Sequence, residues 1–72
     1  MEEDKKVVIN EVDYSERPVI MELYLMDEAF FRRITNVVKF TEYSNGEAVV
    51  ERSNGDKILI RRDISMMSVY NR

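Results

Sequence analysis

Four groups of residues could carry chemistry or recognition in this chain. The first is basic: Lys39, Arg52, Lys57 and Arg61, with Tyr43 near them in the pattern. Bases that share a sheet face with an aromatic can follow phosphates and stack a base. The second is the pair Arg32 and Arg33, which could meet a phosphate or an acidic partner, or simply complement the end of a helix. The third is Met66, Met67, Val69 and Tyr70. Methionines adapt to irregular contacts and recur at binding surfaces, and near a chain terminus they can equally close a core. The fourth is acidic: Glu2, Glu3, Asp4, Glu11, Asp13 and Glu16. Such a segment can imitate nucleic-acid phosphates, or it can serve only as a solubilising edge.

Several chemistries lack their residues. The chain has no histidine and no cysteine. That excludes Ser-His-Asp and Cys-His nucleophile arrangements and the usual imidazole and thiolate metal ligands. Gly46 and Gly55 are the only glycines, so there is no glycine-rich phosphate loop. No run resembles a calcium-binding EF-hand loop. Asp27 and Glu28 are adjacent, which makes their side chains diverge. Asp13 and Asp63 are far apart in sequence, and nothing local pairs them for hydrolysis. The expectation is a protein that is not an enzyme, with no metal and no organic cofactor.

Charge adds little about partners. Fourteen acids and eleven bases give a net charge of −3, which is ordinary for solubility. The charge is uneven, however. Residues 1–30 hold nine acids and three bases, and residues 31–72 hold five acids and eight bases. An acidic side and a basic side would follow unless the halves interleave in space. No stretch approaches the roughly 20 apolar residues of a membrane span, and no apolar segment follows the opening MEEDKK as in a signal peptide. A cytoplasmic protein without a membrane association is the expectation.

These residues need elements to hold them. Seventy-two residues allow one domain, with 1–6 read as a flexible acidic lead-in and 7–72 as the folded unit. Residues 36–62 hold Asn45-Gly46 and Asn54-Gly55 between three β-prone runs. Asn-Gly suits two-residue hairpin loops, so the pattern predicts a meander of strands at about 37–43, 47–52 and 57–62. With such loops Tyr43 opposes Ala48, Glu42 opposes Val49, and Val49 opposes Ile60. One face then holds Val38, Phe40, Val49, Ile58 and Ile60 with Glu42, Glu47, Glu51 and Arg62. The other holds Val37, Tyr43, Ala48, Val50 and Leu59 with Lys39, Arg52, Lys57 and Arg61. Apolar residues on both faces suit a curled sheet or a sheet pressed against a second copy.

Upstream, Val7 to Asp13 reads as a first strand. Pro18 can begin the next, and Val19, Met21, Leu23 and Leu25 give residues 19–26 one clean apolar face. These two strands are expected to pair as a hairpin. Asp27 can cap a helix of about eight residues. Met26 and Phe31 would form its hydrophobic staple, Phe30 and Ile34 its packing face, and Thr35 and Asn36 its end. A strand running through Met26–Val38 is the competing reading. Ile64-Ser65-Met66 reads as a single turn before a short strand, Met67 to Tyr70, an ending common in small β-barrels.

The predicted fold class is therefore α+β: a small, mostly antiparallel β domain with one short helix, able to curl into a partly open β-barrel. The expected function is a non-catalytic protein-interaction module, an adaptor, regulator or inhibitor of another macromolecule. Its interface would use Glu11, Asp13, Glu16, Met66, Met67 and Tyr70. The alternative is a small nucleic-acid binder using Lys39, Tyr43, Arg52, Lys57 and Arg61. A core this small also favours self-association, so a homodimer is expected.

Overall fold

The structure, a computed structural model, describes residues 7–26, 29–61 and 63–71. Six strands occur in chain order: β1 Val8–Asp13, β2 Val19–Leu25, β3 Phe31–Tyr43, β4 Ala48–Arg52, β5 Lys57–Ile60 and β6 Ile64–Tyr70. They form one antiparallel sheet in the order β5-β4-β3-β2-β6, with β1 also paired to β3.

Thirteen-residue β3 is the spine. Val37 pairs with Val19 of β2 and with Arg52 of β4, so β2 and β4 lie on opposite edges of β3. Residues 39–42 pair with both β1 and β4. β1 and β2 therefore follow one another along the same edge. The expected β1–β2 hairpin is not formed, because β3 is long enough to take each in turn. The Tyr14 N–H, donating to the Val38 carbonyl at 2.7 Å, holds the passage between them against β3.

β3 is kinked where its backbone turns. The pairing steps from Val19↔Val37 to Met21↔Ile34, which leaves one extra residue in β3. Asn36 lies inside that bulge with φ 55°, a left-handed conformation that Asn tolerates better than most residues. A second irregularity separates Val37 and Lys39 against β4. Each inserted residue lengthens the inward spacing from two to three. The buried apolar side chains of β3 are accordingly Ile34, Val37 and Phe40, with Thr41 buried beside them.

No helix occurs among the described residues. Phe31 already belongs to β3, and Phe30 is 82% exposed rather than packed on the sheet. Phe31 opposes Tyr24 and Ile34 opposes Met21, on opposite faces of the sheet. The spacing that would join Phe31 and Ile34 on a helix separates them on a strand. The expected cap at Asp27, with Glu28, lies outside the described residues, as does the lead-in 1–6. Residues 64–66 are the start of β6 and not a separate turn.

Both meander loops hold three residues rather than two. The Gly46 N–H donates to the Tyr43 carbonyl, and the Tyr43 N–H donates to the Glu47 carbonyl. Arg52, Gly55 and Asp56 repeat this arrangement in the next loop. Only the glycine of each Asn-Gly takes positive φ, 91° at Gly46 and 95° at Gly55. The Asn side chains instead accept the backbone N–H two residues on, from Glu47 and from Asp56, each at 3.0 Å. The longer loop moves each pairing by one residue. Glu42 opposes Ala48, Phe40 opposes Val50, Ala48 opposes Ile60 and Val50 opposes Ile58.

The corrected register collects one core. Val19, Met21, Leu23 and Leu25 of β2 join the β3 trio, Ala48 and Val50 of β4, and Ile60 of β5. The sheet curls around these residues, and the Met26 N–H donating to the Asp63 carbonyl ties the β5–β6 passage to the end of β2. It does not close into a barrel: among the described residues β5 pairs only with β4, and β6 only with β2. The radius of gyration is 12.6 Å, above the roughly 11 Å of a compact domain this size, as an open sheet requires.

Candidate functional site

The basic group is spread across the outer face of β3, β4 and β5. Lys39 opposes Asp13 on one side and Glu51 on the other, and Glu51 opposes Lys57. The row Asp13–Lys39–Glu51–Lys57 thus alternates in sign across four strands. Lys39 Nζ lies 2.9 Å from Glu11 Oε2, and the Glu11 carboxylate holds its ammonium charged to higher pH than usual. Lys57 Nζ is 3.9 Å from Glu51 Oε2, and Arg61 Nε is 3.7 Å from Glu47 Oε2. The two-residue loop places Glu47 and Glu51 on the opposite face from Lys39, Lys57 and Arg61. A one-residue shift in register exchanges the faces of adjacent strands, and here it seats an acid beside each of these bases.

Arg52 does not belong to that row. Its Nε donates to the Thr35 carbonyl at 2.9 Å and its Nη2 to Thr35 Oγ1 at 3.3 Å. Its Nη1 reaches Asp56 Oδ2 at 3.3 Å. Together with the Ser53 N–H on the Asn36 carbonyl, Arg52 secures the β3 bulge. Tyr43 sits half-buried opposite Val8, at the far end of the face from Lys57.

The acidic and methionine groups meet only in part. A groove of about 630 Å³ runs between the β1–β2 passage and the end of β6. Asp13, Tyr14, Glu16, Arg17, Val69 and Tyr70 are among its walls. Asp13 and Glu16 thus come to Tyr70, while Glu11 is engaged with Lys39. Asp13 Oδ1 accepts the Ser15 N–H at 2.7 Å. The Ser15 hydroxyl and N–H, with Lys39 as a lesser contribution, hold the Asp13 carboxyl below its ordinary range.

Met66 and Met67 point to opposite faces of β6. Met67 opposes Leu23 and packs against the core. Met66 opposes Tyr24 on the outer face and is 55% exposed. Tyr24 in turn opposes Phe31, with ring centroids 5.3 Å apart. An outward apolar row, Phe31–Tyr24–Met66, therefore crosses three strands and ends on β6. Of this row the sequence singles out Met66 alone, as a candidate interface residue. Beside it, Tyr70 donates to Glu22 Oε2 at 2.6 Å, and Arg33 donates to both. Arg33 is a cross-strand partner here, not a helix end.

β6 is the least protected edge of the sheet. It runs seven residues, Ile64–Tyr70, without a charge, a proline or a glycine, and among the described residues only its β2 side is paired. Alternate N–H and C=O groups of such a strand point away from the sheet. Among the described residues no group of three or more carboxylates could hold a metal ion, and no helix is long and apolar enough to cross a membrane.

No protein-family model, no curated protein and no solved structure matches this chain.

Proposed function

We propose that this protein is a non-catalytic interaction module that receives an extended polypeptide strand along β6. The observation that carries this reading is the uncharged, seven-residue edge of β6. An incoming strand would gain backbone hydrogen bonds from the edge, and specificity from pockets for alternate side chains. The row Phe31–Tyr24–Met66 offers apolar contact on the outer face, and Asp13 and Glu16 offer a site for a basic side chain at the Tyr70 end. Such a module would act as an adaptor, regulator or inhibitor.

Binding of nucleic acid to the meander face has weaker support. Lys39, Lys57 and Arg61 each lie within 4 Å of a carboxylate, and Arg52 is engaged by Thr35. A polyanion would have to displace those contacts against a net charge of −3.

Affinity capture with wild-type and Ser68→Lys baits, each with and without nuclease, tests the reading. A lysine on an edge strand discourages strand addition, and Glu22 opposite Ser68 gives it a partner within the fold. The expected result is a protein retained by the wild type, lost with Ser68→Lys and indifferent to nuclease. Retention that depends on nucleic acid, or that ignores Ser68→Lys, overturns it.

A further inference from the structure

We infer that the strand received by β6 is the β6 of a second copy, joined antiparallel about a two-fold axis normal to the sheet. This inference rests on the reading of β6 as a strand-accepting edge and names its occupant.

Self-pairing meets no charge conflict, because Ile64–Tyr70 contains no ionisable side chain apart from the Tyr70 phenol. The two-fold keeps faces in common: outward Met66, Ser68 and Tyr70 meet their counterparts, as do inward Met67 and Val69. Val69 is 36% exposed beside fully buried Met21 of β2, and a second strand there continues the core.

The ends are complementary in charge. Antiparallel pairing brings the Tyr70 end of one copy to the Ile64 end of the other. At the Tyr70 end, Asp13 and Glu16 line the groove with Arg17, leaving two carboxylates to one guanidinium. The Ile64 end follows Arg61, whose side chain is 73% exposed and 3.7 Å from Glu47 Oε2, a long ion pair that leaves the guanidinium able to share a second carboxylate. Asp63, next to Ile64, is directed elsewhere, since its Oδ1 lies 3.9 Å from where a Cβ on Gly46 would stand. Each copy thus offers a base to the other's acidic groove. The two contacts form together by symmetry.

The test uses the absence of cysteine. Residues paired across an antiparallel two-fold have Cα atoms about 4.5–5.5 Å apart, within disulfide range. A single cysteine crosslinks efficiently only where the residue meets itself. Met66→Cys, Met67→Cys and Ser68→Cys are oxidised in parallel with a hairpin-loop control, Ser53→Cys. One β6 position is expected to crosslink at least about tenfold faster than the control, because proximity replaces diffusion. Equal rates at all four positions overturn the inference.

Sedimentation from about 10 μM to about 1 mM covers the range in which a small interface dissociates. The wild type is expected to shift from monomer to dimer. Ser68→Lys is expected to stay monomeric with an unchanged circular dichroism spectrum. Glu16→Lys is expected to weaken association at least about threefold, as loss of one screened ion pair per end would. A wild type that stays monomeric, or a dimer indifferent to Ser68→Lys, overturns self-pairing. A monomer that still captures a protein in a Ser68-dependent way overturns self-pairing alone. A monomer with no such partner overturns the strand-accepting reading as well.

Discussion

The Tyr70 hydroxyl donates to Glu22 Oε2 at 2.6 Å, joining the last strand to the middle of the sheet. Arg33 of β3 donates to the same pair, so one cluster spans β6, β2 and β3. Its guanidinium is held charged to higher pH than usual, first by Tyr70 and then by Glu22. Among the described residues β6 has no second neighbour, which makes this cluster a principal restraint on the end of the strand. Tyr70→Phe keeps the ring and removes the donor. The expected loss is about 1 kcal/mol, at the low end for a hydrogen bond to a charged group because the cluster is partly wet. Chemical denaturation reads that loss, and faster amide exchange should be confined to β6. Uniform acceleration across all strands would contradict the local role.

Phe40 and Phe30 make an opposed pair. Phe40 is 1% exposed at the centre of β3, and Phe30 is 82% exposed before it. Phe40→Ala should cost about 3–5 kcal/mol, a large part of the total for a domain this small, and leave the protein largely unfolded at ambient temperature. Phe30→Ser should stay within about 0.5 kcal/mol. Thermal melts of the two variants check this. A strongly destabilising Phe30→Ser would restore the packed helix that the spacing of Phe30 and Ile34 suggests.

That contrast shows what was legible in the sequence. Val19, Met21, Leu23 and Leu25 announced β2 because one of its faces is fully buried, so alternation survives intact. β3 hides its period. Two irregularities space its buried apolar residues at Ile34, Val37 and Phe40, three apart, which is a helical interval. Asn36 signalled a break in the backbone but not whether a helix ended or a strand bulged. The meander was legible as strands and turns, while its register was not. Asn-Gly serves in both two-residue and three-residue loops, and that single residue decides whether Glu47 and Glu51 face Lys57 and Arg61. Groups brought together from distant segments, such as Asp13 with Tyr70, leave no local pattern.

Asp13 provides a pH test. Its carboxyl is held below the ordinary range, mainly by Ser15. A lowered folded value means that Asp13 favours the fold above the unfolded carboxyl value of about 3.9. That contribution disappears as pH falls through the lower folded value. Asp13→Asn keeps an oxygen acceptor for the Ser15 N–H and removes the titration. The difference in Tm between wild type and Asp13→Asn should be constant above about pH 5 and shrink as the pH falls below about 4. A difference that grows in favour of the wild type on acidification would refute the assignment.

Arg52 should prove structural rather than ligand-binding. Its guanidinium satisfies the Thr35 carbonyl and hydroxyl where the bulge at Asn36 turns β3, and it also reaches Asp56. Its side chain is 27% exposed, so these bonds are only partly screened. Arg52→Ala leaves the Thr35 groups without those donors, at an expected cost of about 1–2 kcal/mol. Lys57, 68% exposed and 3.9 Å from Glu51, should change stability by less than about 0.5 kcal/mol when replaced by alanine. Denaturant midpoints, at constant slope, separate the two cases. The same variants separate two origins of any nucleic-acid affinity. If Arg52→Ala lowers stability and Lys57→Ala leaves both stability and affinity unchanged, the outer face makes no productive phosphate contact through Lys57. If Lys57→Ala instead weakens binding and flattens its salt dependence at full stability, the alternating row Asp13–Lys39–Glu51–Lys57 opens to a polyanion, and the β6 reading loses its priority.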